Sequence, residues 1–292
     1  MSGAVLAGER ATRESVWRAP AQPLRPFVSS YTGYRQAGLA PGQHRGLPSP
    51  DLTFIVTLDD PVVIAAHPDP RQEPGSYDTL LGGLHTSPAL IAHEGRQSGV
   101  QLALTPLGAR ALLGRPAAEL ANWDGDATAV VGAFAAKLRE RVLARGTWAE
   151  RFAAIDELLT RRALAAAPAA RDAVRPEVAF AWRRLRASHG AVSVADLAIE
   201  TGYSARYLNG LFRAEVGLAP KAAGRVFRFD HARRRLAAVG LALPLADLAA
   251  ECGYYDQAHL AREFRDLAGC PPTQWLAEEF RFVQAPPARS RE

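Results

Sequence analysis

Two short segments near the C-terminus carry side chains that can read DNA bases. Arg206 and Asn209 lie in the first segment, and Gln257 and Arg262 lie in the second. Arginine can donate two hydrogen bonds to guanine, and asparagine or glutamine can bond adenine in the same bidentate way. Because residues three or four apart share one side of a helix, Arg206 and Asn209 fall on one face, as do Ala258 and Arg262. The segments are therefore candidate recognition helices.

Both segments belong to a pattern that occurs twice. Leu197 recurs as Leu248, an offset of 51 residues, whereas Leu208 recurs as Leu260, an offset of 52. One residue has therefore been inserted after the Gly-Tyr pair that each copy contains. Each copy predicts a helix, a Gly-centred turn and a second helix, the arrangement that places its second helix in the major groove of DNA.

Local signals predict where these helices begin and end. Ser193 and Ser204 are predicted N-caps in the first copy, and Asp256 is the predicted N-cap in the second. Gly202 and Gly253 take the turns, where a positive φ would strain other residues. The predicted buried residues are Leu197, Ala198, Tyr203, Leu208, Leu211, Phe212, Leu245, Leu248, Ala249, Tyr254, Leu260 and Phe264.

Between the copies, residues Lys221 to Val239 read as one continuous helix. Nineteen residues would span roughly 28 Å, close to the ~34 Å between successive major-groove segments on one face of DNA. Such a connector would hold both recognition helices against the same face. Its arginines are candidate phosphate contacts or members of a solvated charged face, namely Arg225, Arg228, Arg233, Arg234 and Arg235.

The N-terminal part of the chain predicts a different architecture. Residues 18 to about 105 contain short apolar runs between Pro and Asp turn signals, which are typical of a small sandwich or barrel. From Leu107 the pattern becomes helical, and Ala127–Arg145 with Thr147–Leu164 predicts an antiparallel hairpin whose second helix starts with a Thr147–Glu150 capping box. The predicted strands are Asp51–Leu58, Val62–Ala66 and Gly99–Leu104.

The segment Ala165–Pro176 reads as a linker, since it is rich in small residues and has no core pattern. We therefore predict two domains in an α+β chain. Residues 1–172 form a β-rich sensor or dimerisation domain with the helical hairpin at about 127–164, and residues 173–285 form an all-α DNA-binding domain.

The repeated units resemble the AraC/XylS family of bacterial transcription regulators over roughly residues 183–279. The second unit, from Gly253-Tyr254 through Phe264-Arg265 to Pro272, is close to the family signature. The resemblance implies seven helices in the DNA-binding domain. It also implies an N-terminal domain that commonly senses a ligand or dimerises and that often looks cupin-like.

The resemblance also assigns roles to individual residues. It implies base reading by Arg206, Asn209, Gln257, Ala258 and Arg262. Together with side-chain chemistry it predicts DNA-backbone contacts by Ser204, Arg213, Arg225, Arg228, His259 and Arg265. The sequence departs from the family at Gly210, where many members carry a long polar or basic side chain. We therefore expect unit one to read DNA less sharply than unit two.

Composition narrows the remaining classes of function. The net charge of +5 is only mildly basic, and Lys137 and Lys221 are the only lysines among 35 basic residues. No apolar run reaches the ~18–20 residues of a membrane span, and Met1–Trp17 lacks a secretory pattern. The two cysteines, Cys252 and Cys270, cannot form a disulfide framework, so a cytoplasmic protein is expected.

Two enzyme classes are alternatives. A metal- or ligand-binding β-barrel enzyme carrying a DNA-binding module would need converging ligands, and the N-terminal histidines show no His-x-His pair. A DNA-repair alkyl acceptor needs an activated cysteine, and the N-terminal domain contains none. Since phosphate-binding loops and nucleophile elbows are also absent, we expect no enzyme, no metal and no cofactor.

The N-terminal domain has two candidate roles. A ligand pocket would use Tyr31, Tyr34, His44 and Phe54, and the alternative interpretation is that the aromatic residues belong to the core. Dimerisation through the 127–164 hairpin is the alternative role. The predicted partners are double-stranded DNA, with RNA polymerase, a small-molecule effector and a second copy of the chain as further candidates. The predicted function is sequence-specific transcription regulation through two successive major-groove segments.

Overall fold

A computed structural model describes residues 12–166 and 174–279. The domain boundary predicted at about 172 and most of the predicted linker lie outside these ranges. Residues 1–11 of Met1–Trp17, the segment predicted to lack a secretory pattern, also lie outside the described ranges. The predicted end of the second domain at residue 285 lies outside them as well. Among the helices that the structure describes, none is long and apolar enough to cross a bilayer.

Ten strands and eleven α-helices make up the described chain. The strands are β1 (Thr12–Arg18), β2 (Val28–Ala37), β3 (Gly42–Gly46), β4 (Leu52–Thr57), β5 (Val62–Ala66), β6 (Gly75–Tyr77), β7 (Thr79–Gly82), β8 (Ala89–His93), β9 (Gln97–Leu104) and β10 (Asp124–Asp126). The helices are α1 (Ala109–Leu113), α2 (Thr128–Val131), α3 (Ala133–Leu143), α4 (Trp148–Ala165), α5 (Pro176–Ala187), α6 (Val194–Thr201), α7 (Ala205–Val216), α8 (Pro220–Val239), α9 (Leu245–Glu251), α10 (Gln257–Ala268) and α11 (Pro272–Glu279).

The strands form two antiparallel sheets. One has six strands in the order β1-β2-β9-β4-β7-β10, and the other has four in the order β3-β8-β5-β6. The three strands predicted from the sequence are confirmed as β4, β5 and β9. The predicted fold class is confirmed as well, because a β-rich N-terminal region is followed by an all-α region.

The two faces of the six-stranded sheet serve different cores. Side chains alternate along a strand, so Phe54 faces the helices of the N-terminal domain whereas Ile55 faces the second sheet. Phe54 is buried in the large core, which also contains Leu138 and Phe152 from the helical hairpin. Ile55 belongs to a smaller cluster with residues of both sheets, namely Val62, Ile64, Leu80 and Ile91.

The predicted helical hairpin forms with one correction. Ala127–Arg145 is not one helix, because Gly132 (φ 60°, ψ −144°) ends α2 and starts α3. The second helix is confirmed, and the Thr147 side chain accepts a hydrogen bond from the Glu150 N–H while the Glu150 carboxylate accepts from the Thr147 N–H. The inner residues of the hairpin join the large core, so the hairpin packs against the six-stranded sheet.

Aromatic side chains fix the two halves of the C-terminal region to the long helix α8. In the first half, the Trp182 ring lies 6.1 Å from Phe212 of α7 and 4.8 Å from Phe227 of α8. In the second half, Phe264 of α10 lies 5.0 Å from Phe229 of α8. The seven described helices α5 to α11 agree with the number that the family resemblance implies.

Candidate nucleic-acid interface

Two helix-turn-helix units lie on either side of α8. Unit one comprises α6 and α7, and unit two comprises α9 and α10. Gly202 and Gly253 occupy the turns with φ values of 73° and 74°, where a side chain would cost roughly 1 kcal/mol. Ser204 and Asp256 cap the second helices by accepting hydrogen bonds from the N–H groups of Tyr207 and His259. The predicted caps and turns are therefore confirmed.

The outward face of α7 carries the side chains predicted to read bases in unit one. Arg206 and Arg213 are exposed, Asn209 is half-buried, and Gly210 lies on the exposed face between them. Within the described chain, neither arginine makes an ion pair or a hydrogen bond. Ser204 is also exposed, but its hydroxyl already serves as the N-cap.

Unit two presents a similar face. Gln257, Ala258, Arg262 and Arg265 are all exposed on α10. The two arginines have no carboxylate partner among the described residues. His259 is half-buried, and its Nδ1 accepts a hydrogen bond from the Tyr255 N–H at 3.3 Å. The second recognition helix therefore offers an amide and two guanidinium groups to an incoming ligand.

Arg225 and Arg228 are placed differently from the phosphate contacts predicted from the sequence. The Arg225 guanidinium donates to Glu263 at 2.6 Å and to Asp266 at 2.8 Å. Arg228 lies 3.9 Å from the same Glu263 carboxylate and 5.1 Å from the centre of the Tyr254 ring. Because Glu263 is buried, it requires a cation nearby. These two arginines join the connector α8 to unit two.

The remaining arginines of the connector also pair within the protein. Arg233 and Arg234 lie 2.7 Å and 2.8 Å from the Asp230 carboxylate, and Arg235 lies 2.9 Å from Glu251. Burial opposes ionisation of Asp230, but the two neighbouring guanidinium groups outweigh burial and lower its pKa. The charged groups of α8 therefore stabilise the connector.

The N-terminal domain contacts the C-terminal end of α7, and beside unit two it approaches Gly269, the residue after α10, through Pro88. Arg110 donates two hydrogen bonds to Glu215 of α7, at 2.8 and 2.9 Å. A Cβ atom on Gly217, the residue after α7, would lie 2.8 Å from the Ala121 side chain, so the two domains approach closely there. Beside unit two, Arg45 forms an ion pair with Glu278. The N-terminal ends of α7 and α10 are left open to solvent.

A third link between the domains lies beside α8. The Arg186 guanidinium of α5 donates to Asp51 at 2.6 Å and to Ser29 at 3.1 Å. Neither this link nor the Arg110–Glu215 pair was predicted from the sequence. Their partners are 135 and 105 residues apart, and nothing in the local sequence indicates which of many arginines meets which carboxylate.

A cavity of about 200 Å³ lies between the two sheets. Apolar side chains such as Ile55, Ile64 and Ile91 line its middle, and Arg233 and Arg234 of α8 reach it from the DNA-binding domain. The sheet residues at its wall also include polar groups, among them Thr32, Tyr34, His44, Thr53 and Gln101. The cavity therefore combines an apolar wall with polar groups, as small-molecule sites do.

The four residues predicted to line a pocket divide between two faces. Tyr34 and His44 line the cavity, and burial together with the neighbouring His93 lowers the pKa of His44 to about 4. Tyr31 and Phe54 are corrected to core positions on the opposite face of the six-stranded sheet. The Tyr31 hydroxyl donates to Asp156 at 2.9 Å, and its ring stacks on Phe152. The alternation of side chains along the strands separates the two pairs.

Burial stabilises the neutral forms of the two thiols. Cys252 and Cys270 are buried, and burial raises the pKa of Cys252 to about 11. The thiolate is the reactive form of cysteine, so this environment disfavours nucleophilic chemistry. His67 lies 2.5 Å from Asp124. Within the residues that the structure describes, no three metal-binding side chains converge.

Two protein-family models match the chain. Residues 181–278 match a family described as a helix-turn-helix domain, and residues 18–125 match a domain of unknown function (DUF6597). A comparison with curated proteins found no match.

Solved structures also resemble parts of the chain. The C-terminal domain of AraT, a response regulator from Geobacillus stearothermophilus, is 21% identical and has a TM-score of 0.33. The match covers 36% of this chain and 87% of that one. ToxT from Vibrio cholerae O395 is 10% identical with a TM-score of 0.49, over 89% of this chain and all of ToxT.

A second ToxT structure, from V. cholerae strain SCE256 with a bound unsaturated fatty acid, is 9% identical with a TM-score of 0.46, over 89% of this chain and 96% of that one. The helix-turn-helix match covers both units, α6 to α10. The resemblance inferred from the repeated sequence is thereby confirmed. Residues 181–278 therefore carry a helix-turn-helix domain, and its two units resemble those of AraC/XylS-type transcription regulators.

Proposed function

We propose that this protein is a sequence-specific transcription regulator whose helices α7 and α10 read two successive major-groove segments. In this proposal Arg206, Asn209, Gln257, Ala258 and Arg262 contact base edges. Ser204, Arg213, His259 and Arg265 contact the DNA backbone, whereas Arg225 and Arg228 hold unit two on α8. Residues 173–285 would be the DNA-binding domain and residues 1–172 a regulatory domain.

One observation carries the proposal. The arginines on the outward faces of α7 and α10 have no partner among the described residues, whereas those of α8 are paired with carboxylates. An unpaired guanidinium keeps all of its donors available for guanine or phosphate. The two faces that the family resemblance assigns to DNA are therefore those with free donors. We infer that the protein acts by binding DNA and not by catalysis.

A selection from genomic DNA fragments with the full chain at about 0.15 M salt tests this function. We expect an enriched motif of two short blocks about ten base pairs apart, because successive major-groove segments on one face have that spacing. Retention of DNA without any motif would overturn sequence-specific reading.

Single variants separate base contacts from phosphate contacts. Arg262→Ala should weaken the selected site by about 1–3 kcal/mol and relax one position of the second block. Arg265→Ala is the matched control, since it removes an exposed arginine from the same helix. It should weaken all sequences alike and reduce the salt dependence of binding. Unchanged affinity of Arg262→Ala for its site would exclude Arg262 as a base-reading residue.

We also propose that the cavity between the sheets binds a small-molecule effector. The cavity has polar groups from both sheets, and Arg233 and Arg234 extend its wall into the DNA-binding domain. Screening small amphipathic compounds for thermal stabilisation tests the proposal, with Ala103→Leu as a variant that fills the cavity. A compound that stabilises both proteins equally binds elsewhere.

A second copy of the chain and RNA polymerase are further proposed partners. The hairpin α3–α4 would supply the contact between copies, because Ala133, Ala136 and Leu143 lie exposed on α3. Measurement of the molecular mass in solution tests dimerisation, and Leu143→Glu should reduce it. A monomeric mass at micromolar concentration would exclude a stable dimer.

A further inference from the structure

The two recognition helices correspond residue by residue. Each has 12 residues, and Ala205–Val216 and Gln257–Ala268 are related by an offset of 52. Their N-caps, Ser204 and Asp256, keep this offset. Gly217 and Gly269, the left-handed residues that follow the helices, keep it as well. No insertion therefore interrupts the correspondence within the helices.

Side-chain contacts confirm the same register. Tyr207 meets Tyr203 edge-on with ring centres 4.9 Å apart, and its counterpart His259 meets Tyr254 edge-on at 5.2 Å. Leu208 and Leu260 occupy the same fully buried position in the two units. Residues of the two recognition helices whose numbers differ by 52 thus occupy equivalent positions relative to the tyrosine of the turn and to the core.

This correspondence exposes an exchange between two positions on the outward face. In the first turn, unit one has Arg206 where unit two has Ala258. One turn later, unit one has Gly210 where unit two has Arg262. Each helix therefore carries one arginine at this pair of positions, but at different turns. Both arginines are exposed.

The missing side chain in unit one leaves open space. A Cβ atom on Gly210 would meet no atom within 4 Å. The space forms a shallow hollow on the surface, which is bounded by Ser204, Arg206, Tyr207 and Leu211. An arginine at position 210 would consequently fit without moving its neighbours.

From this exchange we infer that the two units read guanine at different depths along their recognition helices. The inference rests on the proposed function. Four residues of helix rise are about 6 Å, and base pairs along DNA are about 3.4 Å apart. In zinc fingers, residues three or four apart on a helix contact successive bases. Arg206 reads a guanine in the unit-one block, and Arg262 reads a guanine in the unit-two block. When the two blocks are aligned by their recognition helices, these guanines therefore lie one to two base pairs apart.

Moving the arginine within unit one tests the inference. The full-chain double variant Arg206→Ala, Gly210→Arg keeps the charge and transfers the guanidinium to the second turn. In a selection of random DNA, we expect the preferred guanine of the unit-one block to move by one to two base pairs. The new position should favour guanine by about tenfold or more over other bases. The unit-two block should not change.

Two further variants control the result. Gly210→Arg alone should add a guanine preference and retain the original one, because both turns then carry an arginine. The exchange Ala258→Arg, Arg262→Ala should move the guanine of the other block in the opposite direction. Unfolding midpoints measured beside the selections verify that each variant is folded.

The outcomes distinguish this inference from the proposed function. If the wild-type protein selects two blocks but the double variant loses the guanine without gaining a displaced one, the inference is overturned and the function stands. An unmoved guanine in the double variant overturns it as well, since Arg206 then does not read that base. Absence of any motif for the wild-type protein overturns the proposed function itself.

Discussion

The two helix-turn-helix units share one backbone design but are attached to different parts of the molecule. In unit one, the buried carboxylate of α7 is Glu215, which binds Arg110 of the N-terminal domain. In unit two, the buried carboxylate of α10 is Glu263, which binds Arg225 of the connector. By the offset of 52 residues, Glu215 corresponds to a leucine and Glu263 to another leucine, Leu211.

A carboxylate and a leucine have therefore exchanged places one helical turn apart. The recognition helices have the same length and the same cap positions in both units, whereas the buried glutamate lies at a different turn, and with it the neighbour that holds the helix changes. Unit one is coupled to the N-terminal part of the chain, and unit two is coupled to the helix between the units. Repeated units can therefore diverge in attachment without diverging in fold.

The largest expected effect is the loss of stability when a buried ring is removed from the aromatic core of either unit. Phe212→Ala and Phe264→Ala each remove a fully buried ring and should lower the free energy of unfolding by about 3–5 kcal/mol. We expect the second loss to be larger, because Phe264 packs on both Phe229 and Trp275. Denaturant unfolding measures both. A greater loss for Phe212→Ala would mean that the first core is the better packed.

A smaller loss of stability is expected when the buried carboxylate of either recognition helix is neutralised, and the location of the effect should differ between the two. Glu215→Gln and Glu263→Gln each remove a charge that accepts hydrogen bonds from arginine, at an expected cost of about 1.5–3 kcal/mol. Only Glu215→Gln should increase hydrogen exchange in residues 105–121, because Glu215 binds Arg110 of that segment whereas Glu263 binds Arg225 of the connector. Equal exchange in both variants would contradict the separate attachments.

The smallest expected effect is a gain at Gly210. Gly210→Ala should raise the free energy of unfolding by about 1 kcal/mol or less, because alanine favours a helix and the added Cβ meets open space. Ala258→Gly, at an exposed position in the first turn of α10, is a change in the reverse sense and should lower stability. Thermal unfolding of both variants measures the pair. A loss of stability in Gly210→Ala would show that the helix requires glycine there.

Features determined by neighbouring residues could be predicted from the sequence. Ser193, Ser204 and Asp256 cap helices through groups three residues away, and Thr147 and Glu150 cap each other. Such contacts need no knowledge of the remaining chain. The exposed faces of α7 and α10 followed from helical periodicity in the same way.

Features that depend on tertiary contacts could not be predicted. Arg225 and Arg228 have side chains that could bind phosphate, but in the fold both lie beside the carboxylate of Glu263, which is 38 residues from Arg225 in the sequence. Tyr31 and Tyr34 are both aromatic residues of β2, yet they point to opposite faces of the sheet because their positions differ by three, an odd number. Which of the two faces holds a cavity depends on the second sheet.

The connector α8 both spaces the recognition helices and forms part of the cavity wall through Arg233 and Arg234. DNA bound across α7 and α10 and a molecule bound in the cavity would therefore share one element. If the molecule changes the affinity for DNA by some factor, DNA must change the affinity for the molecule by the same factor. The operator would then act as an effector of the cavity, so that promoter-bound and free copies of the protein respond at different concentrations of the same molecule.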